Sequence, residues 1–108
     1  MAGRQVNEWA SDEWTWDPGK DRLNRQKHEG LSLADGVLAL ADPFAMSQPD
    51  PHPDGERWRT IGLIGGRIAL FVVHTEPVLQ SNGRMVGRII SLRRTTQRER
   101  RAYEESSI

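Results

Sequence analysis

The segment RIISLRRTTQRERRAYEE, from Arg88 to Glu105, decides how the C-terminal part of the chain folds. It opens with Ile89 and Ile90 between polar neighbours, which is typical of a strand. Thr96 and Glu99 follow at the spacing of a capping box, the side-chain pair that closes the first turn of a helix. The segment therefore predicts a strand, a short turn and a C-terminal helix.

Arginine is concentrated in this segment, although the whole chain has 15 basic and 15 acidic residues and is formally neutral. From Arg84 to Arg101 the one acidic residue is Glu99, whereas acidic residues are frequent from Asp42 to Glu56. The arginine guanidinium presents a planar fork of donors that matches phosphate and carboxylate. The expected partner is therefore a nucleic acid or an acidic protein.

Two interpretations of the arginines are open. The first is a solvated basic helix with arginine–glutamate pairs four residues apart, namely Arg100 with Glu104 and Arg101 with Glu105. The second is an anion site, because a lone charge such as Arg88 is unfavourable in an apolar strand unless it is paired or functional.

An anion site formed by Arg88 and Arg93 sets a condition on the strand. Residues five apart point to opposite faces of a regular strand, because successive side chains alternate. The two arginines share a face only if the strand ends or bulges near Ser91.

Length and composition limit the class of protein. A chain of 108 residues is enough for one small domain, and we expect a disordered tail over residues 1–11 and a single domain over residues 12–108. Without cysteine, disulfides and thiolate metal sites are excluded. No apolar run reaches the roughly 20 residues of a membrane span, and the N-terminus lacks an apolar signal core. We therefore expect a cytoplasmic protein without a membrane partner.

Start and stop signals predict two N-terminal helices. The first begins with an acidic cap at Asp17 and a proline at position 18, and it ends near Gly30. The second begins near Ser32 with a capping-box-like pattern and ends before Pro43.

The centre of the chain predicts β structure. RWRTIGLI and RIALFVVHT flank a hairpin signal at Gly65-Gly66, and EWTW at residues 13–16 predicts a short strand. Residues 47–56, SQPDPHPDGE, predict a loop because of their prolines, aspartates and glycine. The expected fold class is α+β, with two N-terminal helices, an antiparallel sheet of about four to five strands and a C-terminal helix.

A polar stripe runs along the first predicted helix. Its members are Lys20, Asn24, Lys27 and His28, three or four residues apart. The stripe is either a solvated helix face or a face turned towards a nucleic-acid backbone, where His28 could transfer protons near neutral pH.

The remaining titratable candidates have simpler interpretations. His74, in FVVHT, is expected to be a core histidine with its hydrogen bonds satisfied, and His52 is expected to be exposed. Glu56 and Arg57 form an ion pair by default. No histidine and carboxylate spacing predicts a metal site.

Taken in order, these motifs resemble those of the BrnT family, the toxin half of bacterial BrnT–BrnA toxin–antitoxin modules. The resemblance extends from about Trp14 to Glu105. It rests on WDPGKDRLNRQKH, ADP, ERW, VVHT and RIISLRRTTQRERRAYE, of which the first and last are the most specific.

The resemblance implies a RelE-like fold and an endoribonuclease that inhibits translation without a metal or other cofactor. In that reaction the ribose 2′-hydroxyl attacks the adjacent phosphate and leaves a cyclic phosphate and a free 5′-hydroxyl. It also implies a BrnA-type antitoxin with a ribbon-helix-helix domain, in a complex of two toxins with two antitoxins. That complex would repress its own operon and reach operator DNA through the antitoxin.

The same resemblance suggests roles for individual residues. Arg88 and Arg93 would stabilise charge on the phosphate, and Lys27 and His28, at the position of the family's KH, would contact phosphate or transfer protons. A second candidate pair is Glu56 as base with Arg57. Further RNA contacts are assigned to Lys20, Arg94, Arg98 and Tyr103, although Tyr103 is also the one large residue that could anchor the C-terminal helix.

Two other functions fit the sequence. A non-catalytic nucleic-acid-binding module would use the same arginines but would present aromatic side chains for base stacking, and the basic segment offers only Tyr103. An inactive subunit that acts only as co-repressor with its antitoxin is consistent with the long connection EPVLQSNGRMVG before the last strand.

Overall fold

The computed structural model describes Trp9, residues 12–53 and residues 55–106. These residues form three helices and a six-stranded mixed sheet, which confirms the α+β class. The elements are β1 (Glu13–Thr15), α1 (Pro18–Lys27), α2 (Asp35–Leu40), β2 (Met46–His52), β3 (Gly55–Ile64), β4 (Ile68–Thr75), β5 (Val78–Leu79), β6 (Met85–Arg94) and α3 (Gln97–Ser106). None of these helices is long and apolar enough to cross a membrane.

The sheet has the strand order β1-β6-β4-β3-β2, with β5 paired to β6. Its central ladders are antiparallel as predicted, but β1 runs parallel to β6. The observed sheet therefore differs in detail from the expected antiparallel sheet of about four to five strands. A parallel pair requires a long connection between its strands, and most of the domain lies between β1 and β6.

Strand β2 occupies a segment for which the sequence predicted a loop. All of residues 46–52 pair with residues 55–61 of β3, with Pro49 opposite Trp58 and Pro51 opposite Glu56. Proline is tolerated in a strand at the edge of a sheet, where the missing N–H would have faced away from the neighbour. The two prolines are two residues apart and so occupy equivalent positions in this edge strand.

Helix α2 covers the face of the sheet that we call the core face, which carries Leu70, Val72, Ile89 and Leu92, each at most 1% exposed. Contact is close enough that a Cβ added at Gly62 would lie 2.1 Å from the carbonyl oxygen of Ala39. Only glycine allows this approach between a helix and a strand.

Helix α1 is held by a polar clamp. Its single large apolar side chain, Leu23, is 53% exposed, whereas Asn24 is 6% exposed. The Asn24 amide donates to the carbonyl of Leu31 (2.9 Å) and accepts from the backbone N–H of Leu92 (3.1 Å). A strand N–H lies in the plane of its sheet, so α1 lies along the edge of β6 beyond β1.

The N-terminal part of the chain contributes Trp9 to the core. Trp9 is 2% exposed, and its ring meets those of Trp14, Trp58 and His74 at edge-on angles. Trp9 lies in the segment for which the sequence predicts a disordered tail; residues 1–8, 10 and 11 of that segment lie outside the described residues. His74 is 0% exposed with both ring nitrogens hydrogen-bonded, which confirms the predicted core histidine.

Candidate functional site

Strand β6 contains a bulge next to Ser91, which is the condition for Arg88 and Arg93 to share a face. The register of β4 and β6 shifts between the pairs Val73–Ser91 and His74–Ile89, which leaves Ile90 as the extra residue. One extra residue reverses the alternation of side chains beyond it. Arg88 and Arg93, five residues apart, therefore share the face of the sheet opposite the core face.

Two further arginines lie on this face. In β3, Arg57 is opposite Thr75 and Arg59 is opposite Val73. We call the surface formed by Arg57, Arg59, Arg88 and Arg93 the arginine face. Arg59 was missed in the sequence, although RWR places two arginines two residues apart in a predicted strand, which is the spacing that aligns side chains on one face.

Arg93 is the most constrained member of the arginine face. Its two terminal nitrogens donate to the two carboxylate oxygens of Glu99 at 2.8 and 2.9 Å, and its guanidinium lies 4.1 Å from the centre of the Phe71 ring. Bidentate pairing and stacking on an aromatic ring both hold a guanidinium in a defined plane. Arg93 therefore has a fixed orientation at the end of β6.

Glu99 connects Arg93 to the start of α3. The predicted capping box is present, because the N–H of Thr96 donates to Glu99 (2.8 Å) and the N–H of Glu99 donates to the Thr96 hydroxyl (3.1 Å). The hydrogen bonds from Arg93, more than its charge, lower the pKa of Glu99 to about 2. The Glu99 carboxylate thus accepts hydrogen bonds from Arg93 and from the backbone of the helix cap at the same time.

Arg57 and Arg88 have no such partner. Within the described residues, neither side chain makes a hydrogen bond or an ion pair, and Arg88 is exposed. Arg59 is paired less closely than Arg93. Its Nε lies 3.8 Å from the Asp50 carboxylate and is buried without a hydrogen bond. The donors of Arg57 and Arg88 are therefore available for an anion on this face.

Lys27 and His28 lie at the C-terminal end of α1, which reaches the same end of β6 as Arg93. The link between them is an ion pair of Arg94 with Glu29 at 3.7 Å. Among the described residues, no hydrogen bond joins Lys27 or His28 to the arginine face. His28 ends α1, where its backbone N–H donates to Asn24. Asn24, the fourth member of the predicted stripe, is buried in the clamp to Leu92, so the stripe is not one continuous polar surface.

Tyr103 lies inside the molecule. It is 4% exposed, and its hydroxyl donates to Asp42 at 2.5 Å. Burial, and then the Asp42 carboxylate, raise the pKa of Tyr103 above its ordinary value. This geometry favours the role of helix anchor over that of an RNA contact.

The other predicted RNA contacts are placed as follows. Lys20, Arg94 and Arg98 are exposed. Arg94 lines an open cleft of about 150 Å³ at the start of α3, together with Arg67 and Arg100. Glu56 precedes Arg57 in β3, and its backbone is opposite Pro51. Within the described residues, no group of three or more histidines, aspartates or glutamates could hold a metal ion.

Comparisons with known proteins point to one family. The profile of the ribonuclease toxin BrnT of type II toxin–antitoxin systems matches residues 16–99. Among solved structures, the crystal structure of the ribonuclease toxin BrnT of Brucella abortus is similar, with a TM-score of 0.55 and 27% sequence identity. The match covers 80% of this chain and 99% of the Brucella chain. No curated protein sequence matches significantly.

The matched profile spans more than half of the chain, from Trp16 in front of α1 to Glu99 in the cap of α3. It includes every element that builds the arginine face. The chain therefore belongs to the BrnT family of ribonuclease toxins of type II toxin–antitoxin systems.

Proposed function

We propose that the arginine face is the RNA-cleaving surface of a RelE-like, metal-independent endoribonuclease. The observation that carries the proposal is the bulge at Ile90, which places Arg88 and Arg93 on one face beside Arg57 and Arg59. Four guanidinium groups on one sheet face, two of them without a partner among the described residues, form a surface suited to a phosphodiester.

The reaction class follows from what cations can do for a phosphate. The ribose 2′-oxygen loses its proton and forms a bond to the adjacent phosphorus, and the bond from phosphorus to the 5′-oxygen breaks. The departing 5′-oxygen takes a proton, so the products are a 2′,3′-cyclic phosphate and a 5′-hydroxyl. Preorganised donors stabilise the negative charge that develops on the phosphate oxygens during this exchange.

Individual roles follow from the contacts. Arg88 and Arg57, whose side chains make no hydrogen bond or ion pair in the described part of the chain, bind the phosphate oxygens. Arg93, fixed by Glu99 and Phe71, stabilises charge at the end of the face from a defined orientation, with Glu99 balancing part of its own charge. Lys27, His28 and Glu56 remain the candidates for proton transfer.

The RNA chain continues from the arginine face around the end of β6. The cleft that Arg67, Arg94 and Arg100 line begins one residue beyond Arg93. Arg98 is exposed in the first turn of α3. Successive phosphates are bound in this way by positive charge along a groove, without readout of bases.

The partner that we propose is a BrnA-type antitoxin with a ribbon-helix-helix domain, in a complex of two toxins and two antitoxins. Acidic groups of the antitoxin would cover the arginines and so exclude RNA, and exposed charge pairs of this kind weaken with salt. The complex would repress its operon through the antitoxin's contact with operator DNA. The free toxin would act on RNA in the cytoplasm and thereby inhibit translation.

Two measurements test the proposed function. Induction of the chain alone should arrest growth, and co-expression of the open reading frame next to its gene should cure the arrest. Purified chain should cleave RNA to fragments with 2′,3′-cyclic phosphate ends. Growth that continues on induction, together with intact RNA in the purified assay, would show that this chain is not a ribonuclease toxin.

A further inference from the structure

The place where β4 and β6 separate is fixed by a side chain. Their ladder proceeds as far as His74 opposite Ile89. The next backbone N–H along β6, that of Arg88, donates to the hydroxyl of Thr75 at 2.9 Å. A threonine side chain thus takes the place of a main-chain acceptor directly at the residue that carries the unpartnered guanidinium.

Thr75 also lies between two members of the arginine face. In the register of β3 and β4 it is opposite Arg57, and through its hydroxyl it is bound to Arg88 on the other side. Any change in the position of Thr75 therefore changes the separation between Arg57 and Arg88, the two members of the arginine face that have no partner among the residues that the structure describes.

Thr75 is itself anchored by a directed chain of hydrogen bonds through the core. The indole of Trp9 can only donate and the carbonyl of Thr75 can only accept, so with a neutral His74 the intervening groups have one consistent direction. Trp9 donates to Ser47 (2.8 Å), Ser47 to Thr60 (2.8 Å), Thr60 to Nε2 of His74 (2.7 Å), and Nδ1 of His74 to the carbonyl of Thr75 (2.9 Å). In this direction His74 is a neutral imidazole with its proton on Nδ1.

Thr60 and His74 are both 0% exposed. A buried chain in which each donor meets an acceptor holds its members rigidly, because any displacement leaves a polar group unsatisfied away from water. The last acceptor of this hydrogen-bond chain is the carbonyl of Thr75. The hydroxyl of the same residue accepts from the backbone of Arg88, so the chain also restrains Arg88.

We propose that Thr75 is a positioning residue for RNA cleavage, which sets the backbone of Arg88 at the distance from Arg57 that one phosphodiester requires. The inference rests on the proposed function of the arginine face. Thr75 acts through Arg88 and does not itself contact the reacting atoms. Misplacement of a catalytic group by about 1 Å can reduce a rate roughly 100-fold.

The test compares Thr75→Val with Thr75→Ser in the full chain. Valine keeps the shape and the strand preference of threonine but removes the hydroxyl, whereas serine keeps the hydroxyl and loses the methyl group. Steady-state cleavage of an RNA oligonucleotide should show kcat lowered about 10- to 100-fold in Thr75→Val, with a smaller change in KM. Thr75→Ser should stay within a few-fold of the parent.

Amide hydrogen exchange supplies a readout independent of catalysis. The Arg88 amide should exchange faster in Thr75→Val and at the parent rate in Thr75→Ser, with little change in the melting temperature of either. Should Thr75→Val fail to fold, Thr75→Ala against Thr75→Ser makes the same comparison of hydroxyl with no hydroxyl.

The outcomes separate this inference from the proposed function. If Arg88→Ala cleaves RNA at the parent rate, the proposed role of the arginine face fails, and the role of Thr75 fails with it. If Arg88→Ala is inactive but Thr75→Val has the parent's kcat, only the positioning role is overturned. Equal losses in Thr75→Val and Thr75→Ser would also overturn it, because the hydroxyl would then not be the cause.

Discussion

Arg88 is the residue on which the proposed chemistry depends most directly. It is exposed on the arginine face, and within the described residues its side chain has no partner. We expect Arg88→Ala to lower RNA cleavage roughly 100- to 1,000-fold, the usual effect of removing one donor to transition-state charge. Arg22→Ala, a change of an exposed arginine on α1, is the matched control and should retain activity. Cleavage by purified Arg88→Ala at the rate of Arg22→Ala would contradict the assignment.

Thr60 is a buried polar residue, and replacing it with an apolar residue of the same shape should lower stability. Its hydroxyl accepts from Ser47 and donates to His74, and it is 0% exposed. We expect Thr60→Val to lower the free energy of unfolding by about 1–3 kcal/mol, the range for leaving a buried polar group unsatisfied. Urea denaturation measures this difference. Thr95, whose side chain makes no hydrogen bond within the described residues, supplies the control. Thr95→Val should change stability by less than about 0.5 kcal/mol, and equal effects of the two substitutions would contradict the role of the hydrogen-bond chain.

At the scale of the element, α3 depends on one buried side chain. The helix is polar except for Ala102 and Tyr103, and Tyr103 is buried with its hydroxyl on Asp42. A helix of this length is marginal without tertiary contacts. We expect Tyr103→Ala to remove hydrogen-exchange protection across residues 97–106 and to reduce RNA cleavage. Arg101→Ala on the same helix, exposed in the structure, should leave the protection intact. Protection in Tyr103→Ala equal to that of the parent would mean that other contacts hold α3.

The cap of α3 should make stability depend on pH in the acid range. The pKa of Glu99 is lowered from 4.5 to about 2 in the folded chain, chiefly by its hydrogen bond with Arg93. A depressed folded pKa stabilises the folded state above the unfolded pKa, and this contribution is lost as pH falls through the folded value. The stability difference between the parent and Glu99→Gln should therefore be constant near neutral pH and shrink from about pH 4.5 towards pH 2. Solvent screening keeps it small, since the Arg93 side chain is 37% exposed. A difference that is the same at pH 7 and at pH 3 would contradict the pairing.

At the scale of the whole molecule, formal neutrality conceals a surface on which positive charge is collected. The arginine face extends along β6 and is followed by the cleft at the start of α3, and together they hold seven of the 15 lysines and arginines of the chain. Because guanidinium groups can stabilise the charge of the transition state themselves, we expect RNA cleavage to continue in excess chelator. Cleavage by highly purified protein with and without EDTA measures this, and Arg88→Ala is the control for contaminating nucleases. Strict dependence on added magnesium or manganese would exclude the proposed mechanism.

Local signals in the sequence determined the elements whose partners lie within four residues. Asp17 caps α1 by accepting the N–H of Lys20 at 3.0 Å, and the Thr96–Glu99 box caps α3. The hairpin at Gly65-Gly66 has positive φ at both glycines, 59° and 69°. Such features are readable because side chain and backbone partner are close in sequence, so their geometry does not depend on the remainder of the fold.

Only the tertiary structure decided how the site is assembled, because its partners are distant in sequence. The bulge at Ile90 exists only where β4 lies against β6, and it alone places Arg88 and Arg93 on one face. In the same way Asn24 is buried, and Leu23 is not, because the backbone of β6 needs an acceptor at its edge. The apolar periodicity of α1 cannot predict this contact, because the N–H group that requires an acceptor belongs to another element.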